Sequence, residues 1–311
     1  MQKVTVLKGG DSPEREISLI SGAAIAKGLQ EAGFEVQELD PAHYSSFAGL
    51  IAAMEKDPPA AVFLGLHGGS GENGQIQAAL ELAGFRHTGS GFAACALTMD
   101  KYVAKLMARQ EGIPVADWML FRGDLTEDYN DPSDLQGIQE KLGLPIMVKP
   151  NDGGSSVGIS KVEELSQLKD AVKQALKFSN GALLERFIKG REFAVTVLDG
   201  KALPLVEIRP RDGWYDYQNK YNAGRTEYLV PAPVDEATTQ LMQTYAERLW
   251  QVFGLQGYAR VDFLYDEIQP WFLEVNTLPG MTPLSLTPMA ARTVGIDFPK
   301  LMKTIVDLAL R

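Results

Sequence analysis

Asp262, Glu274 and Asn276, with Arg260 beside them, are the residues of this chain whose types and spacing point most directly to chemistry. They fall in RVDFLYDEIQPWFLEVNTLPGMT, residues 260–282, where two β-like runs flank a turn at Asp266 to Pro270. Successive strand residues point to opposite faces, so Arg260 shares a face with Asp262, and Glu274 with Asn276. A hairpin centred on Ile268 sets Asp262 across from Glu274 and Arg260 across from Asn276, and a slip of one residue would separate the pairs. Two carboxylates facing each other across a ladder repel unless a cation lies between them. A donor set of Asp, Glu and Asn oxygens suits a hard divalent ion, Mg²⁺ or Mn²⁺, that also holds phosphates. A solvated hairpin with ordinary surface acids is the competing reading of this segment taken by itself.

A second segment, VKPNDGGSSVGIS at 148–160, is a glycine- and serine-rich turn between β-like runs. Gly153, Gly154 and Gly158 open backbone conformations that let amides approach phosphate oxygens. Ser155 and Ser156 add hydroxyls, and Lys149 adds a positive charge. No GK[ST] follows, so this is not a Walker loop. A strand–loop–strand flap over a nucleotide fits, as does a flexible hairpin turn. Lys101, Lys149 and Lys220 supply cations for phosphates, although any one lysine is ordinarily a solvated surface group. Glu185 and Glu192 bracket ERFIKGRE, a linker whose backbone can read an adenine edge while an acid bonds ribose hydroxyls. A salt-bridged edge strand is the alternative there.

Near the N-terminus, Glu14 in GGDSPEREIS stands just past a strand, and His67 in LHGGSGENGQIQ stands at the end of another. An acid in a first helical turn and a turn-capping histidine are the plain alternatives. Neither has the Cys or His company of a zinc site. No GxSxG elbow is present, and the lone Cys95 suggests no nucleophile pair. The absence of GxGxxG after the first strand weakens a dehydrogenase reading.

The elements that must carry these residues follow from pattern. KVTVLK, EVQELD and AVFLGLHG read as strands that alternate with helices at 14–32 and in GQIQAALELAG, giving an open parallel α/β layer over residues 1–97. Gly9, Gly10 and His67 fall at strand carboxyl ends, where such sheets bind ligands. Thr98 is placed to cap the helix MDKYVAKLMARQEG. LPIMVKP and GISKV are strands around the flap, followed by a helix over 163–178 and the strands ALLERFI and REFAVTVLDG. Residues 209–232 read as a long loop, a lid in function if ordered. A helix over 235–253, the hairpin and a terminal helix from 298 complete the chain.

At 311 residues the chain is long for one core, and two or three domains are expected. Composition, 45% hydrophobic and 23% charged, is that of a soluble globular protein. A net charge of −10 argues against broad nucleic-acid or anionic-membrane binding. One cysteine excludes an internal disulfide, and no apolar run approaches the roughly 18 residues of a membrane span. The opening MQKVTVLKGG lacks a signal-peptide pattern, so the cytoplasm is the expected location.

In this order the motifs GGDSPEREIS, HGGSGENGQIQ, MDK, VKPNDGGSSVG, LERFIKGRE, YDYQNKY, RVD and LEVNTLPGMTPLS resemble those of the D-alanine–D-alanine ligases of the ATP-grasp superfamily. The resemblance spans essentially the whole chain and departs at Gly153, where many relatives carry an acid. It implies an α/β fold with three-domain ATP-grasp architecture. The N-terminal open parallel α/β (pre-ATP-grasp) domain covers 1–97, the central subdomain with the flap 98–187, and the C-terminal subdomain with the lid 188–311.

The chemistry implied is phosphorylation of one D-alanine by ATP, then attack on the acylphosphate by the amine of a second. Glu14 and His67 would bind the first D-alanine, and Ser285 and Leu286 the carboxylate of the second. Arg260 and the Gly280 amide would stabilise the tetrahedral oxyanion. Ser155 and Tyr221 would link to Glu14 and close the loop, and YDYQNKY favours the dipeptide over a D-lactate product. ATP would be held by Lys101, Lys149, Ser155, Ser156, Glu185, Arg186, Phe187, Ile188, Glu192 and Lys220. Asp262, Glu274 and Asn276 would hold two Mg²⁺ or Mn²⁺ ions. A homodimer is implied on the same ground. A D-alanine–D-lactate ligase and a catalytically silent ATP-binding regulator are the alternatives carried forward.

Overall fold

The computed structural model of the chain describes residues 1–122, 132–154, 157–211 and 225–311. Ser155, Ser156, Lys220 and Tyr221 lie outside the described residues. The first sheet is parallel, with β1 (Lys3–Leu7) between β2 (Glu35–Leu39) and β3 (Ala61–Leu64). Val4, Val6, Leu7, Val62, Phe63 and Leu64 are all buried, as they must be when helices cover both faces of a parallel sheet. The helices Arg15–Glu31 and Gln75–Leu82 occupy the expected stretches. The helix Phe47–Glu55 was not anticipated; Ser46 caps it, its hydroxyl accepting from the Gly49 amide at 3.3 Å.

One start signal was misplaced. Thr98 does not cap a helix but lies inside Phe92–Met99, donating its hydroxyl to the Ala94 carbonyl at 2.8 Å. The chain breaks at Asp100, whose carboxylate accepts from Val103 N at 3.0 Å and from Asn151 Nδ2 at 2.9 Å. An acid that receives two donors outcompetes a threonine already bonded within its own helix. Lys101 thereby becomes the first residue of Lys101–Gln110.

The second sheet is antiparallel, in the order β4-β7-β5-β6: β4 (Trp118–Phe121), β5 (Ile146–Pro150), β6 (Ser160–Val162) and β7 (Ala182–Arg186). The third holds β8 (Arg191–Leu198), β9 (Lys201–Ala202), β10 (Val206–Pro210), β11 (Thr226–Leu229), β12 (Tyr258–Tyr265) and β13 (Pro270–Asn276). Its order is β11-β10-β8-β12-β13, with β9 beside β8. The stretch 209–232 is therefore not all loop. Arg209 pairs with Glu227 and Pro210 with Thr226.

Three apolar clusters hold the sheets, and two of them join one sheet to another: Ala194, Val206 and Tyr258 of the third sheet with the first, and Trp118 and Leu183 of the second with the third. Ile146, Val148 and Leu184 of the second pack on the helix Leu168–Leu176, and Val195, Val261 and Phe263 of the third pack under Glu236–Phe253. The C-terminal helix Phe298–Leu310 returns to the first sheet, burying Leu301, Ile305 and Val306 with Leu29 and Phe63. Among the described residues no helix is long and apolar enough to cross a membrane.

Candidate active site

The hairpin has the register that its alternation implied: Arg260 pairs with Asn276 and Asp262 with Glu274. Beyond Asp262 the pairing shifts, so Phe263 faces Phe272 and Leu273 is the extra residue of a bulge. The bulge reverses the parity of β13. Phe272 turns into the core against Phe263, with ring centroids 6.3 Å apart, while Glu274 and Asn276 stay with Asp262. Asp266 closes the turn by accepting from the Ile268 and Gln269 amides at 3.0 and 2.9 Å.

The opposed carboxylates are each paired with a protein cation. Arg260 grips Asp262 with two bonds of 2.7 Å, and the pair is nearly buried. Asn276 donates to the same carboxylate at 3.0 Å, and Lys101 Nζ lies 3.3 Å from Glu274. Lys101 also donates to the Gly153 carbonyl at 2.6 Å, tying the helix start to the flap. A Cβ at Gly153 would come within 2.8 Å of the Pro150 ring.

Lys149 and Glu185 meet across β5 and β7. Glu185 accepts from Lys149 through one oxygen and from Lys105 through the other. Burial pushes the Glu185 carboxyl up, but the two ammonium groups outweigh it and hold it below the usual range. Sequence reasoning missed Lys105, although its position four residues after Lys101 on one helix was a usable signal.

On the N-terminal side Glu14 precedes the helix Arg15–Glu31 and lies against two glycines. A Cβ on Gly68, where φ is +65°, would fall 2.3 Å from the Glu14 carboxylate, and one on Gly154 3.0 Å from it. His67 is buried with both ring nitrogens in use. Nδ1 donates to the Leu278 carbonyl at 3.1 Å, and Nε2 accepts from the Ser21 hydroxyl at 3.0 Å. The ring thus braces the Leu278–Gly280 turn from the first sheet. Ser285 precedes the helix Leu286–Thr293, and its Oγ accepts from Thr282 N at 3.0 Å. Among the described residues no side-chain cap occupies the helix start, an end whose dipole favours an anion.

Two cavities organise these residues. One, about 380 Å³, is lined by Glu14, His67, Gly280, Ser285 and Leu286, together with Tyr228 of β11, which the sequence did not point to. The other, about 740 Å³, lies between the two antiparallel sheets and is lined by Lys149, Glu185 to Ile188, Glu192 and Asp262. Met147, Leu264 and Trp271 give it an apolar side suited to a flat base. Arg260, Glu274, Lys101, Gly153 and Gly154 line both, so an amino-acid-sized space opens onto a nucleotide-sized one at a guanidinium, a carboxylate and a glycine turn. Cys95 offers no nucleophile there: burial pushes its thiol up to about 12.

Two antiparallel sheets closing on such a cavity, beside a parallel α/β layer, constitute the ATP-grasp fold. The model of the D-ala D-ala ligase C-terminus matches residues 107–307. A D-alanine–D-alanine ligase of Actinobacillus pleuropneumoniae serotype 5b is 42% identical over 309 residues, spanning 99% of this chain and 98% of its own. The D-alanine–D-alanine ligase from Bacillus anthracis superposes with a TM-score of 0.86 at 31% identity, covering 100% of this chain and 98% of that one. Its complex with ATP gives 0.84 at 29%, with the same coverage. The VanG D-Ala:D-Ser ligase from Enterococcus faecalis gives 0.83 at 28% identity, covering 99% of each chain. The chain belongs to the D-alanine–D-alanine ligase family.

Proposed function

We propose that the protein is an ATP-dependent ligase that joins two D-alanines into D-alanyl-D-alanine, releasing ADP and phosphate. The observation that carries this reading is the shared wall of the two cavities, where Arg260, Glu274 and Lys101 serve both spaces. A carboxylate held in the smaller space and a γ-phosphate held in the larger would meet there. The carboxylate oxygen attacks the γ-phosphorus, the bond to the bridging oxygen breaks, and ADP leaves. The amine of the second D-alanine then adds to the carbonyl carbon and loses a proton, and phosphate departs as the tetrahedral centre collapses.

Glu14 binds the ammonium of the first D-alanine, and His67 holds the turn that carries the Gly280 amide. Arg260 and that amide stabilise the oxyanion. Ser285 and Leu286, at their helix N-terminus, bind the carboxylate of the second D-alanine. Lys101, Lys149, Glu185, Arg186, Phe187, Ile188 and Glu192 bind ATP, joined by Ser155, Ser156 and Lys220. Tyr221 and Ser155 act together with Glu14, the role that the family resemblance of YDYQNKY and GGSSVG implies.

The donor set of Asp262, Glu274 and Asn276 lies on one face and fits two hard divalent ions, Mg²⁺ or Mn²⁺, once phosphate oxygens complete them. Among the described residues no group of three His, Cys, Asp or Glu offers a rival site. Such ions supply charge neutralisation on the transferring phosphoryl group. We read the protein as a cytoplasmic homodimer of three domains, bounded as the sequence divides them, that supplies peptidoglycan precursor. ADP release with ATP, Mg²⁺ and D-alanine alone tests the reaction, with product mass as the second readout. ADP formed only when D-serine or D-lactate is added would reassign the acceptor. ATP binding without release would mark a silent regulator.

A further inference from the structure

A lysine lies behind the nucleotide cavity and lines neither of the two ligand spaces. Lys105 is 0% exposed, a degree of burial lysine almost never reaches unless paired. Its ammonium bonds one oxygen of Glu185, and Lys149 takes the other. Glu185 and Lys149 do line the nucleotide cavity. Two cations therefore share one anion in a place nearly without water.

Such a cluster is a poor device for stability alone. Desolvation offsets most of the attraction between buried ions, and apolar replacements are often neutral or better. Orientation is what the arrangement secures. A carboxylate held from one side by a rigid helix has its other oxygen and its partner ammonium fixed toward the cavity. The helix Lys101–Gln110 is that support, and it sets Lys101 and Lys105 one turn apart. One element thus places a cation where the two cavities meet and another behind Glu185.

We propose that Lys105 is a positioning residue for ATP: it fixes the Glu185 carboxylate from behind and, through it, the Lys149 ammonium that faces the nucleotide. The inference rests on the ATP-dependent ligase reading and adds to it a residue that touches no ligand. Lys105→Met keeps most of the stem and removes the charge.

ATP affinity is measured directly, by titration of the purified chain with a fluorescent ATP analogue and Mg²⁺, and KM values for ATP and D-alanine come separately from ADP release. Affinity is expected to fall roughly tenfold and KM for ATP to rise in step, while KM for D-alanine stays within about twofold. In a Glu185→Gln background the same substitution is expected to add little, because Lys105 acts through that carboxylate. Lys105→Gln, which keeps a hydrogen-bond donor, serves if the methionine variant does not fold, and the same weakening is expected. Unchanged affinity in either folded variant overturns the proposal, as does a loss that adds in full to that of Glu185→Gln. Both KM values rising together with a fall in Tm would mark Lys105 as a plain core residue. Wild-type protein that binds no ATP would instead overturn the ligase reading itself.

Discussion

Arg260 does two things that cannot be separated by looking at it alone. It balances Asp262, and it stands at the meeting of the two cavities. Arg260→Ala is expected to lower kcat by about 10²–10³-fold, the usual cost of losing an oxyanion donor, read by ADP release. Arg260→Lys keeps the charge but loses the two-pronged grip and should fall between. Wild-type turnover in the alanine variant would remove Arg260 from the chemistry.

Asp40 is a structural counterpart at the carboxyl end of β2. Burial pushes its carboxyl up, but Arg15 and the Gly10 and Ala42 amides prevail and hold it down at about 2, against an ordinary 3.8. Below about pH 4 the unfolded chain therefore binds more protons than the folded one, and stability falls with pH until about pH 2. Asp40→Asn should flatten part of that acid limb in a denaturant-midpoint series, and an unchanged limb would show that the carboxylate is not linked to folding. Both arginine–aspartate pairs join residues of ordinary type; the Arg260 pair is buried on both sides, the Arg15 pair only at its aspartate.

At the scale of elements, the glycine turns set how closely acids and flap approach. Gly68 has φ +65° and no room for a Cβ beside Glu14. Gly68→Ala is expected to displace the Glu14 carboxylate and raise KM for D-alanine several-fold while ATP affinity holds, measured by the same two assays. Equal KM values in the variant and the parent would separate Glu14 from the amino-acid site. The β12–β13 hairpin was legible in the sequence as far as its functional pairs, because alternation and a compact turn leave few registers. Its bulge was not legible, since Leu273 looks like any strand residue until Phe272 has a core to enter. Thr98 and Asp100 show the same limit. Both are good caps by type, and the contact from Asn151, far along the chain, decides between them.

For the whole molecule, the larger cavity is lined from both antiparallel sheets, so a nucleotide bound there would hold both. Saturating ATP with Mg²⁺, at about 100 times Kd, should add about 2.7 kcal/mol and raise Tm by several degrees. A thermal melt without such a shift would mean that ATP does not bind the native state in this cavity. The C-terminal helix Phe298–Leu310 packs on the first sheet, and His67 reaches from that sheet to Leu278, so the ends of the chain jointly support the amino-acid space.

The sequence by itself determined most of the elements in their order, the residue types at the hairpin and the faces they share, because period and turn chemistry are local properties. The tertiary structure alone decided which lysines meet Glu185, that both nitrogens of His67 are committed, and that two cavities share a wall at Arg260. Burial and long-range pairing set those outcomes, and no local pattern encodes how much water a side chain keeps.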